Sequence, residues 1–146
     1  MFMGEYRHSL DAKGRLIIPA KFREDLGDKF VITRSLDKCL NIYDMKSWEA
    51  FTEGLQHLPY NAKKQRDIVR FFLSGAVEVE PDKQGRVMLP GSLREKAGIT
   101  EDVVFLGCGR YGEIWGREQY EVYENELSVD EIDEIAEEML GGGFTF

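Results

Sequence analysis

The chain has 146 residues, of which 27 are acidic and 19 basic, for a formal net charge of −8. A hydrophobic share of 42%, with nine Phe, is enough for a packed core and excludes collagen-like, low-complexity and wholly disordered chains. The chain has no run of 18 apolar residues and no N-terminal apolar signal segment, so we expect a cytoplasmic protein with no membrane partner and with reduced cysteines.

The first predicted unit, about residues 5–27, is a strand, a turn, a second strand and a short helix. Its turn reads Asp11-Ala-Lys-Gly-Arg15, where glycine suits a backbone position with a positive φ. A β-rich run follows the turn, and Pro19 and Gly27 mark the first turn and the end of the helix.

A predicted hairpin of two strands, about 29–34 and 39–43, completes this unit. Two helices are predicted next. Asp44 can cap the first, the second begins at about Ala62 with an apolar stripe, and Pro59-Tyr60-Asn61 separates them.

The chain then repeats itself at an offset of 71 residues. The segment from Asp11 to Pro19 reappears as Asp82-Lys-Gln-Gly-Arg-Val-Met-Leu-Pro90, and seven of the 17 positions in 11–27 are identical. Such self-similarity is the mark of a duplicated structural unit. We therefore predict one domain, residues 1–146, built from two pseudo-symmetric repeats, about 4–74 and 75–146.

The second repeat is predicted to end in a hairpin and two helices, as the first does. Its hairpin pairs about 102–107 with 112–115, and residues 117–127 form the first helix. A capping box, Ser128-Val-Asp-Glu, opens an acidic helix over about 128–140. The tail from Gly141 is predicted to fray, and its two phenylalanines are candidates to dock on a partner.

The acidic total hides an uneven distribution of charge. Residues 118–146 contain ten acidic and no basic residues, so residues 1–117 carry 17 acidic and 19 basic ones. Residues 1–23 and the run Lys63–Arg70 each have a net charge of +3. Contact with a polyanion depends on the field within a Debye length of about 8 Å, so the net charge does not exclude nucleic acid.

The repeated turn allows two interpretations. In the structural one, the aspartate caps the turn amides and pairs with the arginine four residues later. In the functional one, a pseudo-twofold axis places both arginines on one side, as in proteins that read half-sites on a duplex. Arginine can bind guanine O6 and N7 through two hydrogen bonds.

The two turns, their separation and the intervening helices resemble those of the MraZ family, bacterial transcription factors of the AbrB superfamily. The resemblance implies an α+β fold, a double swapped-hairpin AbrB-like β-barrel with flanking helices. It also implies ring-shaped homo-oligomers that bind repeated promoter boxes in double-stranded DNA. Their target would be the division and cell-wall gene cluster, which the protein would repress from the nucleoid.

The resemblance also carries over residue by residue. It implies that Arg15 and Arg86 contact DNA, and that two aspartates and two glycines organise the turns: Asp11, Asp82, Gly14 and Gly85. Further DNA contacts are expected from Lys13, Arg7, Arg23 and Arg94. Because Gln84 replaces Lys13 and Glu78 replaces Arg7 in the second repeat, we expect Arg15 to contribute more affinity than Arg86.

Two other classes of function are weighed against DNA binding. An enzyme needs a positioned acid, base or nucleophile, and no motif surrounds His8 or His57, while Cys39 and Cys108 lie beside hairpins and are expected to pack there. We therefore expect no catalysis, metal, cofactor or small-molecule substrate. The remaining alternative is an oligomeric scaffold or interaction protein that does not read DNA.

Overall fold

The computed structural model describes residues 1–58, 61–143 and 145. The residues Pro59 and Tyr60 of the predicted break, and the tail's Phe144 and Phe146, lie outside the described residues. The first repeat contains β1 Glu5–Ser9, β2 Arg15–Ile17, α1 Ala20–Leu26, β3 Phe30–Arg34, β4 Leu40–Asp44, α2 Met45–Gln56 and α3 Ala62–Ser74. The second contains β5 Val77–Val79, β6 Arg86–Met88, α4 Gly91–Ala97, β7 Asp102–Gly107, β8 Gly112–Gly116, α5 Arg117–Glu126 and α6 Val129–Gly141. The same order of elements therefore occurs twice.

The two repeats exchange strands throughout the fold. Six strands form an antiparallel sheet in the order β1-β7-β8-β4-β3-β5, and β2 pairs with β6 in a separate two-stranded ribbon. The pairs β1–β7, β3–β5, β4–β8 and β2–β6 each join one repeat to the other. This topology confirms the predicted two-repeat, β-barrel-like α+β fold with flanking helices.

The short helices α1 and α4 begin and end as the prolines and glycines indicate, with one small difference. Pro19 and Pro90 lie immediately before the helices rather than in the first turn, because their ψ angles of 138° and 142° are extended. Gly27 and Gly98 end the helices with φ of 76° and 64°.

The main hydrophobic core lies between the ribbon, the short helices and the sheet. Leu16 and Val87, at the middle of β2 and β6, are buried in it. The ring of Phe22 on α1 packs edge-on against Phe105 of β7, with centroids 5.7 Å apart. Replacing such a buried phenylalanine by alanine typically costs about 3–5 kcal/mol. Because both repeats supply these residues, neither repeat can complete the core alone.

Helices α2 and α3 cover the sheet through an aromatic cluster. The ring of Phe51 lies 5.2 Å from that of Tyr43 and 5.0 Å from that of Phe72. Asp44 caps α2 as predicted, because its Oδ2 accepts a hydrogen bond of 3.3 Å from the Ser47 amide.

The two C-terminal helices differ in how they contact the sheet. Tyr120 of α5 is buried beside Trp115, whereas none of the residues of α6 is buried. The Ser128 hydroxyl caps α6 by accepting the Glu131 amide at 3.1 Å, as predicted. In the described ranges, no helix combines the length and the apolar character that crossing a membrane requires.

Candidate nucleic-acid interface

The first repeated turn is held closed by its aspartate. Asp11 Oδ1 accepts hydrogen bonds of 2.9 Å from the backbone amides of Lys13 and Arg15, and Asp11 Oδ2 accepts one of 2.7 Å from Arg15 Nε. The Gly14 amide donates to the Asp11 carbonyl at 3.0 Å. Gly14 has a φ of 78°, a conformation that favours glycine. The turn therefore fixes the direction of the arginine side chain.

The second turn reproduces this geometry almost atom for atom. Asp82 Oδ1 accepts from the amides of Gln84 and Arg86 at 2.9 Å, and Asp82 Oδ2 accepts from Arg86 Nε at 2.8 Å. Gly85 also has a φ of 78°. The structural interpretation of the motif, with the aspartate as cap and as ion-pair partner, is confirmed in both repeats.

Backbone hydrogen bonds lower the pKa of both aspartates. The largest contribution at Asp11 comes from the Arg15 amide, and at Asp82 from the Arg86 amide, each supported by the guanidinium of the same arginine. Both carboxyl groups are therefore ionised at neutral pH and hold their arginines by charge-assisted hydrogen bonds.

The ribbon places the two turns side by side around a pseudo-twofold axis. Leu16 lies opposite Val87 at the centre of the ribbon. The Ile18 amide donates to the Gly85 carbonyl at 3.0 Å, and the Leu89 amide donates to the Gly14 carbonyl at 3.2 Å. These two bonds are equivalent under the axis.

The ribbon also brings the two guanidinium groups together. Asp11 Oδ2 lies 2.7 Å from Arg15 Nε and 4.0 Å from Arg86 Nη1, so one carboxylate oxygen contacts both arginines. The arginines of both repeats therefore lie on the same side of the molecule.

The two arginines differ in their remaining contacts. Among the described residues, the side chain of Arg15 hydrogen-bonds only to Asp11. Arg86 makes an additional bond of 2.8 Å, in which its Nη2 donates to Gln84 Oε1. The terminal nitrogens of Arg15 are thus more readily available to a ligand than those of Arg86.

Two further predicted site residues support the turns from the opposite repeat. The Arg23 guanidinium lies against Gly85, where an added Cβ would overlap it, and the Arg94 guanidinium lies against Gly14. Both side chains are partly buried, and their Nε atoms find no hydrogen-bond partner in residues 1–58, 61–143 and 145. Each arginine of a short helix therefore packs on the turn that carries the other repeat's arginine.

Lys13 and Arg7 occupy different places. Lys13 is exposed at the tip of the first turn, next to Arg15. Arg7 lies on β1, and its Nε is 3.3 Å from Glu5 Oε2. The structure thus brings Lys13 to the paired arginines and pairs Arg7 with an acidic neighbour.

Two apolar residues of the same face were not singled out from the sequence. Side chains alternate along a strand, and burial of Leu16 and Val87 leaves Ile17 and Met88 on the outer face with the arginines. The alternation of the two β-rich runs was the signal that could have found them.

Comparison with known proteins relates both repeats to one family. The family model described as "MraZ protein, putative antitoxin-like" matches residues 1–71 and again 72–142. The chain belongs to the MraZ family. It is 51% identical over 139 residues to "Transcriptional regulator MraZ" of Thermoanaerobacter sp. (strain X514), covering 95% of this chain and 96% of that protein.

Two other relatives carry the same name. The protein of Moorella thermoacetica is 51% identical over 140 residues, or 96% of this chain and 97% of its own length. That of Lachnoclostridium phytofermentans is 48% identical over the full length of both chains. MraZ proteins with this name are transcriptional regulators, which agrees with the interpretation that the chain is not an enzyme.

The histidines and cysteines occupy unrelated surroundings. His57 Nδ1 lies 2.9 Å from the Glu53 carbonyl at the surface, and His8 packs edge-on against Phe105. Cys39 is buried as predicted, but Cys108 is exposed, so the expected packing role of Cys108 is wrong. Cys108 lies in the loop between β7 and β8, where it does not reach the core.

Proposed function

We propose that this MraZ-family chain regulates transcription by binding double-stranded DNA through the outer face of the β2–β6 ribbon. The observation that carries the proposal is the pairing of Arg15 and Arg86 on one face, joined by the carboxylate of Asp11. A two-stranded ribbon has the dimensions to enter the major groove, where guanine presents O6 and N7.

The aspartates prepare the arginines for this contact. Because Asp11 binds the Nε atom of Arg15, the terminal nitrogens of Arg15 are left to approach a base end-on, and those of Arg86 can do so once its Nη2 gives up the bond to Gln84 Oε1. Holding the guanidinium before binding reduces the entropy lost on contact. Lys13 at the turn tip is placed to neutralise a phosphate, and we assign the same role to Arg7. Arg23 and Arg94 hold the turns and add positive charge beneath them.

Assembly completes the proposal. One ribbon offers few cations, and the chain as a whole carries a net charge of −8, so a single copy would bind a duplex weakly. A ring-shaped homo-oligomer would present several ribbons at once, and tandem promoter boxes would engage them at a high effective concentration. We infer repression of the division and cell-wall gene cluster through such boxes.

Mass photometry with and without the duplex upstream of the chain's own gene tests the assembly and the binding together. We expect a ring-sized particle that binds the duplex, with an affinity that rises steeply with the number of boxes. The logarithm of affinity should fall with the logarithm of salt concentration by about 0.9 per phosphate neutralised. Equal affinity for one box and for a tandem set would refute the multivalent mechanism.

Matched variants locate the interface. Arg15→Ala/Arg86→Ala removes two charges from the ribbon, and Lys64→Ala/Arg66→Ala removes two from the exposed surface of α3. We expect the first pair to abolish the preference for promoter DNA over a shuffled duplex and the second pair to keep it. If both pairs weaken binding equally, the ribbon is not the reading surface.

A scaffold function without DNA is favoured by one observation. Helix α6 exposes an apolar face, with Val129 at 78% and Met139 at 52% exposure, which suits contact with a protein. A scaffold would assemble normally but show neither a salt-dependent affinity for the duplex nor a preference for repeated boxes.

A further inference from the structure

The outer face of the ribbon carries two large apolar side chains beside the two arginines. Ile17 is 42% exposed and Met88 is 55% exposed, although both lie on paired strands of the ribbon. They are equivalent under the 71-residue repeat, so each copy presents one arginine and one apolar residue.

The strand register fixes how these four residues alternate. Arg15 lies opposite Met88, and Ile17 lies opposite Arg86, so the two arginines occupy one diagonal and the two apolar residues the other. Directly opposed Cβ atoms in such a ribbon are about 4.5–5.5 Å apart. Residues two apart on one strand are separated by about 6.4–6.8 Å. Every arginine is therefore flanked by two apolar side chains at known spacing.

Base pairs are stacked at a comparable spacing. Successive base pairs rise by about 3.4 Å, so a group about 5–7 Å from an arginine lies one or two steps from the guanine which that arginine contacts. The apolar group that a base presents in the major groove is the C5-methyl of thymine.

We propose that Ile17 and Met88 determine specificity by contacting thymine methyl groups one or two base-pair steps from the guanines bound by Arg86 and Arg15. This inference rests on the proposed DNA binding and deepens it, because it defines the chemistry of the sites: guanines followed or preceded at short range by thymines. The two arginines then contact guanines, and Ile17 and Met88 contact thymine methyl groups.

The surroundings of these side chains favour a base over a protein as the partner. Ile17 and Met88 lie beside guanidinium groups, which attract a polyanion. The exposed apolar residues of α6 lie instead among six acidic residues, which repel one. Compared with the apolar face of α6, the ribbon is therefore the surface better suited to DNA.

Single replacement of thymine by deoxyuracil tests the contact, because it removes the methyl group and keeps every hydrogen-bonding atom. The duplex is the one upstream of the chain's own gene, and fluorescence anisotropy gives the affinity. Guanines in contact with arginine are first found by 7-deazaguanine, which lacks the N7 acceptor. At thymines within two steps of these guanines, we expect the wild type to lose about fourfold in affinity per replacement, or about 0.8 kcal/mol.

The variants Ile17→Ala and Met88→Ala test which side chain contacts each thymine methyl group. We expect each to lose its sensitivity to a subset of the deoxyuracil replacements while remaining sensitive to 7-deazaguanine. Leu36→Ala is the matched control, since Leu36 is 78% exposed in the loop between β3 and β4 and is not part of the ribbon. The sensitivity of this variant to deoxyuracil should equal that of the wild type.

The outcomes separate the two proposals. Two outcomes overturn the thymine contact alone. In the first, the wild type binds the duplex normally and deoxyuracil near the guanines does not change its affinity. In the second, deoxyuracil lowers the affinity of both variants as much as that of the wild type. The thymine contact is also overturned if the variants disassemble the particle in mass photometry without changing uracil sensitivity, because the residues would then join subunits. No binding to the duplex, or no effect of any 7-deazaguanine, overturns the proposed function itself.

Discussion

The two arginines should contribute unequally to DNA affinity, although their turns have nearly the same geometry. Replacing Arg15 by alanine removes a guanidinium whose terminal nitrogens have no hydrogen bond to the described part of the protein. A bidentate contact with guanine contributes about 1–3 kcal/mol, so we expect Arg15→Ala to weaken binding to one box about 5- to 150-fold.

The loss on replacing Arg86 should be smaller for a reason visible in its contacts. To reach a base, Arg86 must give up the bond from its Nη2 to Gln84 Oε1, and such a bond has a net value of about 0.5–1.5 kcal/mol. Arg86→Ala should therefore weaken binding about 2- to 12-fold less than Arg15→Ala. The double variant gives the sum if the two contacts are independent.

The variant Gln84→Ala isolates this cause. It frees Arg86 without changing its charge or its bond to Asp82, so the effects of Arg15→Ala and Arg86→Ala should converge in the Gln84→Ala background. Fluorescence anisotropy with single-box and tandem duplexes at fixed salt measures all combinations. Equal losses in the wild-type background, or a difference that persists without Gln84, would refute the reasoning.

Three further predictions concern the turns and the core. Gly14→Ala and Gly85→Ala should each destabilise the fold by about 1–2 kcal/mol, because both glycines have a φ of 78°. The loss should be larger at Gly85, where the added Cβ would overlap the Arg23 guanidinium, and urea unfolding of the two variants checks which one is less stable. Asp11→Asn should reduce stability at pH 7, because the folded state holds the pKa of Asp11 below its ordinary value of 3.8. The deficit should be the same at pH 5 and should shrink progressively as the pH falls below 3.8 towards the lowered pKa; unfolding at pH 7, 5 and 3 would show a smaller deficit only at pH 3. Burial raises the pKa of Cys39 to about 12, so its alkylation at pH 8 should be at least about tenfold slower in the folded protein than in urea; equal rates would contradict this.

The turns were predictable because their geometry is local. An aspartate four residues before an arginine, with glycine between them, defines a cap, a positive φ and an ion pair within five residues. The repeat then predicted a second copy, and the hydrogen bonds of Asp11 and Asp82 agree to within 0.1 Å. The hairpins and the caps of α2 and α6 were predicted on the same local basis.

The contacts between repeats were not predictable in this way. Nothing in the sequence around Arg23 indicates that it packs on Gly85, 62 residues away, because that contact depends on the pairing of β2 with β6. Alternation along each strand indicates that Ile17 shares a face with Arg15 and Met88 with Arg86, but the positions of Ile17 opposite Arg86 and of Met88 opposite Arg15 follow from a register that only the assembled core sets. Long-range pairing is decided by the packing of side chains, which a local pattern does not specify.

The distribution of charge reconciles the acidic net charge of the chain with the proposed DNA-binding surface. The acidic residues from Glu118 onward all lie on α5 and α6, after the last strand of the sheet, whereas the paired arginines lie on the separate ribbon. Because fields are screened beyond about 8 Å, contact with a duplex depends on the charges near the ribbon rather than on the net charge of the whole chain. We therefore expect the acidic helices to repel a duplex that approaches them and to weaken non-specific binding, while the proposed contact at the ribbon gains affinity when several ribbons bind at once.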